Sequence, residues 1–273
     1  MQGRRPAARG CKFLELSLEA IKNLLRPVVR PLRRRLSWFA KLALSRGPLA
    51  IEDFVDYFAL RHARLFFVQV GACDGVANDP IHRWVKRRDG WSGLLVEPVA
   101  ENMRRLRENY RGRRNLIFEQ SAVAERAGRK TFYLLSGGEV TLPAWTAQLG
   151  SFDRRTLLSH RAVLPDIERY LVSIEVEALT LEALLRKHAI AAVDLLLVDC
   201  EGYDFEVLRQ IAGLPSLPRV LLYEHAHLPD RRGCQAFLAG MGYGMLQFEF
   251  DTLAYQPGVL PKRLVRRAAA TRA

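Results

Sequence analysis

A doubly wound α/β sheet, mostly parallel and covered by helices on both faces, is the architecture that residues 65–256 predict. Three observations carry it. Short apolar runs alternate with stretches of helical period, the pattern of repeated βα units. The run AVDLLLVD (192–199) is apolar without alternation, as expected of a strand buried on both faces. Glycines and carboxylates recur where the apolar runs stop, and open parallel sheets bind ligands beyond the carboxyl ends of their strands.

The elements follow in order. LFFVQVG (65–71) reads as a buried strand. Asn78-Asp79-Pro80 starts a helix, with an Asp cap and proline at the first helical position. GLLVEP (93–98) is a second strand, followed by a helix that uses Met103, Leu106 and Tyr110 and closes at Gly112. NLIFEQSAV (115–123) is a third strand and KTFYLL (130–135) a fourth. Residues 136–172 break the rhythm and read as an insertion. A short strand at 173–178, the helix TLEALLRKH (180–188) and the strand 192–199 resume it. A helix capped by Asp204 and ended by Gly213 comes next, then the strand RVLLYEH (219–225), a helix over CQAFLAGMG, and closing strands in 243–256 that pair antiparallel.

The formal net charge of +13 would point to nucleic acid if it were spread over the fold. It is not. Residues 1–46 hold 12 Lys/Arg and two Asp/Glu, and residues 258–273 hold five basic and no acidic residues. The segment between them has 25 basic and 27 acidic residues, so a basic groove is not expected and nucleic acid is not the favoured partner. Three regions follow: a basic, partly helical arm (1–46), a catalytic domain (47–257) and a disordered basic tail (258–273). In the arm, Leu14, Leu18, Ile21 and Leu25 share a helical face. A helix beside a solvated Arg-rich linker is the favoured reading, and peripheral contact with an anionic membrane is the alternative. Four cysteines without CxxC or Cys/His spacing argue against a cysteine-based zinc site or a disulfide framework and fit reduced thiols, hence a cytoplasmic setting.

At the predicted rim, VGACDG (70–75) puts glycines where the chain must turn and let a ligand approach. Glu97 ends the second strand, where an acid accepts hydrogen bonds from both ribose hydroxyls. The spacing is not GxGxxG, and Asp74 would repel a phosphate but suit a cationic amino group. Together these favour S-adenosylmethionine over a dinucleotide.

These residues resemble the FkbM-type family of class I, S-adenosylmethionine-dependent methyltransferases. The resemblance rests on QVGACDG with NDP (69–80), WSGLLVEPVAENMRRLRENY (91–110), NLIFEQSAV (115–123), LGSFDRRTLL (149–158), LTLEALL (179–185) and VDLLLVDCEGYDFEVL (193–208). Cys73 departs from the family pattern, which often has Asn there. The resemblance implies a Rossmann-like, seven-stranded sheet with an antiparallel edge, and methyl transfer to a hydroxyl on a sugar, glycan or natural product. It implies that Gly71, Ala72 and Gly75 line the methionine part of the cofactor and Asp74 its amino group. Glu97 would lie on the ribose, Ser121 and Ala122 near adenine, and Asp199 and Glu201 beside the methyl.

A hydroxyl acceptor must lose a proton to a carboxylate or histidine within reach. Asp199, Glu201, Glu224 and His225 are the candidates, with Glu201 or Asp199 as the base and His225 behind them. A divalent metal on Asp199, Glu201 and Glu224 is the less favoured use of the same cluster, because no spacing demands it. In the insertion, His160 reads as a surface histidine, Trp145 as core filling and Ser151 as a helix cap. The rival enzyme is a nicotinamide-dependent oxidoreductase or epimerase, for which no Tyr-x-x-x-Lys pair is present. The rival without catalysis is a membrane-associated scaffold that keeps the fold.

Overall fold

The computed structural model describes residues 49–138 and 140–270, so the arm at 1–46 lies outside the described residues. Strands β1 (Leu65–Val70), β2 (Trp91–Val96) and β3 (Leu116–Glu119) step outward on one side. Strands β8 (Leu195–Val198) and β9 (Val220–Glu224) step outward on the other. The chain closes with β10 (Gly244–Gln247) and β11 (Asp251–Tyr255), giving the order β10-β11-β9-β8-β1-β2-β3. Only β11 runs antiparallel to its neighbours, and it lies one place in from the edge, between β9 and β10. Strand order reverses between β1 and β8, the position at which such sheets bind ligands.

The strand sequences explain their places. β8 is buried at all four positions, and β1 and β2 at five of six, as flanking helices on both faces require. Val68, Val70, Leu94, Val96, Leu196, Val198, Leu221 and Tyr223 share one apolar cluster with Leu184, Val207, Leu208 and Leu238. These last four lie within the helical spans that the sequence predicts. Thr180 caps α6 (Leu181–Lys187) by accepting from the Ala183 amide at 3.1 Å. Asp79 accepts from the Ile81 and His82 amides at 2.8 and 3.0 Å, but the helix begins only at His82, so Asp79 closes the turn before it and Pro80 stays outside. That helix, α2, is short (His82–Val85).

Four further expectations need correction. The third predicted strand splits at Gln120-Ser121. β3 stays in the main sheet, while β4 (Ala122–Val123) joins a second sheet with β5 (Gly128–Leu135), β6 (Gly150–Ser151) and β7 (Leu171–Leu179), in the order β4-β7-β5-β6. β5 and β7, read above as part of the main rhythm, pair antiparallel over eight residues instead. Their burial explains why: β5 and β7 are mostly open and bury a few side chains, as a sheet covered on one face does. The insertion between them packs on its own small core of Leu135, Leu149, Leu157 and Ile167, with Trp145 against it.

The second correction is a helix the apolar-run reading passes over, α1 (Ile51–Arg61), which buries Phe54, Val55, Tyr57, Phe58 and Ala59. Third, the segment predicted as a disordered tail carries α9 (Lys262–Ala270), with Leu264 and Ala268 buried. Fourth, Asp204 is the first residue of α7 (Asp204–Leu208) and not its cap. It is fully buried, and its Oδ2 accepts from the Cys200 amide at 3.3 Å. No helix among the described residues is long and apolar enough to cross a membrane.

Candidate active site

A cavity of about 550 Å³ opens at the carboxyl ends of β1, β2 and β8, a size within the usual range for small-molecule sites. One wall is the loop after β1. Gly71 has φ +78, and both its amide and that of Ala72 donate to the Val96 carbonyl at 3.0 Å. A Cβ at Gly71 would stand 1.8 Å from the carbonyl oxygen of Asp199, so only glycine lets β1 and β8 finish side by side. Cys73 is held at φ +45, a left-handed conformation that Asn tolerates better than Cys. That is the physical content of its departure from the family pattern.

Glu97 is buried at the cavity wall. Its Oε2 accepts from the Cys73 amide and its Oε1 from the Val99 amide, both at 2.9 Å. Burial pushes its pKa up to about 7, against the pull of those two bonds. Ser121 lies at the crossover between the two sheets, wholly buried, and Ala122 follows it; both line the cavity. The Ser121 Oγ and the Gln69 Oε1 are buried in this wall without a hydrogen-bond partner among the described residues. Buried polar atoms in folded proteins are nearly always paired, so both are poised for a ligand.

Beside it, where β8 ends next to β1, the wall is acidic. Asp199 and Glu201 follow β8 and both line the cavity. Asp199 keeps open surface on the cavity side, yet protein surrounds it closely enough that burial, then Glu224 and Asp251, push its pKa up to about 7. Burial, then Asp199 and Glu224, push Glu201 up to about 9. Glu224 rises to about 7 and Asp251 to about 6, each mainly through burial. Four carboxylates this close do not ionise independently; the cluster shares protons as a set.

Glu201 sits at φ +49, followed by Gly202 at +89. A long side chain is rarely found in this conformation, and a structure that keeps it there must hold the residue from elsewhere. Ser151 does so: its Oγ donates to the Glu201 carbonyl at 2.9 Å and accepts from the Asp153 amide at 3.2 Å. Asp153, not Ser151, caps α4 (Arg154–Leu158).

Not every predicted residue reaches the site. Asp74 and Gly75 are outside the cavity wall. The Asp74 carboxylate accepts from the Val76 and Ala77 amides at 2.9 and 3.0 Å, closing its own turn. Gly75, at φ +70, faces Leu106 and Tyr110, where a Cβ would approach side-chain atoms to 2.5 Å. His225 is buried against Thr252, with Nδ1 2.8 Å from Oγ1, and does not line the cavity. Glu224 stands just behind the wall, its Oε1 2.9 Å from His227 Nδ1.

The residues missed by sequence reasoning come mainly from distant segments. Glu52 of α1 and Asp251 of β11 both line the cavity. Phe152 packs edge-on against Phe132 and Tyr203, with ring centroids 5.4 and 4.9 Å apart, forming an aromatic wall. The Tyr203 hydroxyl donates to Glu125. Asn102 donates to the Ala147 carbonyl at 3.2 Å and Asn78 to Gln148 Oε1 at 3.1 Å, so the insertion closes over the loop after β1. His227 is within view in EHAH (224–227), but the choice between its two histidines needs the turn after β9.

Residues 69–253, which supply all of the cavity lining except Ile51 and Glu52, match the model of a methyltransferase FkbM domain. No curated protein matches the chain. Among solved structures, a precorrin-6y C5,15-methyltransferase from Geobacter metallireducens GS-15 aligns at 11% identity with a TM-score of 0.41, covering 78% of this chain and 91% of its own. An O-methyltransferase from Bacillus cereus in complex with SAH aligns at 10% identity with a TM-score of 0.40, covering 87% and 97%. A SAM-dependent methyltransferase from Aquifex aeolicus aligns at 10% identity with a TM-score of 0.36, covering 75% and 87%. The domain match spans well over half of the sequence, and the chain belongs to the FkbM family of S-adenosylmethionine-dependent methyltransferases.

Proposed function

We propose that this methyltransferase acts on a hydroxyl group of a sugar, glycan or natural product, with the cofactor on the glycine-and-Glu97 wall and the acceptor on the acidic wall. The observation that carries this reading is a single cavity lined by Glu97, by the unpartnered Ser121 and Gln69 atoms, and by Asp199 and Glu201. When bound, S-adenosylmethionine supplies a methyl group activated on a sulfonium.

The chain's own residues do the rest. Glu97 faces the ribose hydroxyls with Oε2, which accepts only the Cys73 amide, and with Oε1, whose second contact, Asn102 Nδ2 at 3.5 Å, is long enough to yield to a hydroxyl. Ser121 and Gln69 satisfy their buried atoms on the nucleoside. Asp199 would take the proton of the acceptor hydroxyl, whose oxygen would receive the methyl group that the bound cofactor supplies. Phe132, Phe152 and Tyr203 exclude water and give a flat ligand a face to stack on.

Cofactor affinity then depends on pH through Glu97. Only the ionised carboxylate accepts two hydroxyl hydrogens, and burial holds its pKa near 7 in the free protein. Below about pH 7 binding must release a proton, so Kd weakens up to about tenfold per pH unit, and above it Kd is level. Glu97→Gln should weaken binding about 100-fold, from losing two hydrogen bonds to a charged group, and flatten the profile. Calorimetric titration with S-adenosylmethionine from pH 5.5 to 8.5 reads both effects.

The acceptor class is tested by transfer of labelled methyl groups in extracts and onto candidate glycans. Label in carbohydrate or small hydroxylated metabolites supports the reading. Label found only in protein or RNA rejects it.

A further inference from the structure

We infer that His160, His227 and Glu201 form a binding site for a first-row divalent metal ion of the Zn²⁺, Co²⁺ or Mn²⁺ type. One ligand atom from each residue lies within 4.8 Å of the other two. Ligand atoms on a common ion stand roughly 3–4 Å apart, given bonds of about 2.0–2.2 Å. Small side-chain movements therefore close the set. The residues come from three separate segments: the turn after α4, the loop after β8 and the turn after β9. Sheet topology and the insertion bring them together.

A second observation is independent of that spacing. His160 Nε2 and Glu201 Oε2 are buried without a hydrogen-bond partner among the described residues, although Glu201 Oε2 stands 3.5 Å from His227 Nδ1. An imidazole nitrogen and a carboxylate oxygen left unpaired on two members of one such cluster would both be satisfied by a shared cation. The surroundings fit as well. Glu224 Oε1 lies 2.9 Å from His227 Nδ1 and adds a carboxylate beside the set. Trp145 packs against the His160 ring at 5.7 Å, and the two histidine rings lie 5.2 Å apart.

Two nitrogens and one oxygen select a borderline transition metal over Mg²⁺ or Ca²⁺, which take oxygen ligands. The set also differs from the three carboxylates considered from sequence: it leaves Asp199 out and brings both histidines in. Three protein ligands leave positions open on the ion. Because Glu201 lies in the cavity wall, the open side faces the acceptor, whose hydroxyl oxygen the ion would hold beside Asp199. That role rests on the methyl-transfer reading; the site itself does not.

The test uses the full chain without a histidine tag, stripped of metal and titrated with Co²⁺ alone, followed by visible absorption, and with Zn²⁺ alone by calorimetry. One ion per chain is expected, with a higher thermal midpoint in its presence. His160→Ala and His227→Ala should each weaken binding at least about tenfold, while His188→Gln binds as the native chain does. Circular dichroism reports whether each variant folds. If either alanine variant fails to fold, Glu201→Gln carries the same comparison. No saturable binding up to millimolar Co²⁺, or equal binding by native chain and folded variants, overturns the site. Binding of S-adenosylmethionine is measured separately without metal; its loss counts against the methyl-transfer reading and leaves the metal site standing.

Discussion

Asp199→Asn lowers the rate of methyl transfer about 10²- to 10⁴-fold, the usual contribution of a positioned general base, while S-adenosylmethionine still binds. The substitution keeps size and shape and removes only the basic lone pair. A surface aspartate would contribute little at neutral pH because it is too weak a base. Here burial, then Glu224 and Asp251, bring the pKa to about 7, close to the optimum for accepting a proton near neutrality. The native rate should rise about tenfold per pH unit up to about pH 7 and then level, and the Asn variant should lose that dependence. Single-turnover transfer to the identified acceptor measures both. An Asn variant that keeps more than about a tenth of the native rate assigns the base elsewhere.

The same substitution should raise stability, and the sign follows from linkage. The folded-state pKa of Asp199 lies above its ordinary value of 3.8, so the folded protein holds this proton more tightly than the unfolded chain. Stability is therefore lost as pH rises from about 4 to about 7. Asparagine carries no such proton, and its advantage is full above pH 7. Lower activity with a higher thermal midpoint at pH 8 distinguishes loss of a base from damage to the fold.

Gly71→Ala is expected to destabilise the domain by about 4 kcal/mol or more, the range in which single substitutions become exceptional. Against a typical total of roughly 5–15 kcal/mol, that removes much of the folded population. Two effects combine. At φ +78 any L side chain is strained, by roughly 1–2 kcal/mol. The new Cβ would also stand 1.8 Å from the Asp199 carbonyl oxygen and 2.9 Å from its carbon. Those are backbone atoms of the adjacent strand, tied to β1 by the Asp199 amide donating to the Val70 carbonyl at 3.0 Å. They have no rotamer through which to yield. Gly112 supplies the control, because it has φ +83 but nothing lies within 4 Å of where a Cβ would stand. Gly112→Ala should cost only the strain. Urea midpoints of the two variants measure the difference, and equal midpoints would refute the close-approach argument.

Legibility in the sequence follows burial. Where both faces of a strand are covered, as in β8, β1 and β2, the apolar run itself announces the strand, and its polar terminus marks the rim. The family motifs lie in the same places. Half-covered elements are harder to place: β5 and β7 read as strands, but nothing local says which sheet a strand joins. Glu97, Ser121, Ala122, Asp199 and Glu201 are legible because each sits close after such a run. Asp74 and Gly75 overextend the same logic. In a turn this tight, alternate residues face inward toward the helices or close the turn on themselves. His225 is favoured over His227 from sequence because only the bend after β9 decides which imidazole turns toward Glu201.

Short-range patterning alone sets the alternation of strands and helices and the carboxylates at the end of β8. A linear chain displays such apolar and polar patterns directly. Three other features come from folding: 120–179 builds a second sheet, Ser151 pins Glu201 in a left-handed conformation, and His160 and His227 meet it. They depend on contacts between residues far apart in the chain, 50 positions in the case of Ser151 and Glu201, and no local pattern encodes a meeting point. The pKa values near 7 on Glu97 and Asp199 belong to the same class. Desolvation is a property of what surrounds a carboxylate, and the chain has to fold before it has surroundings.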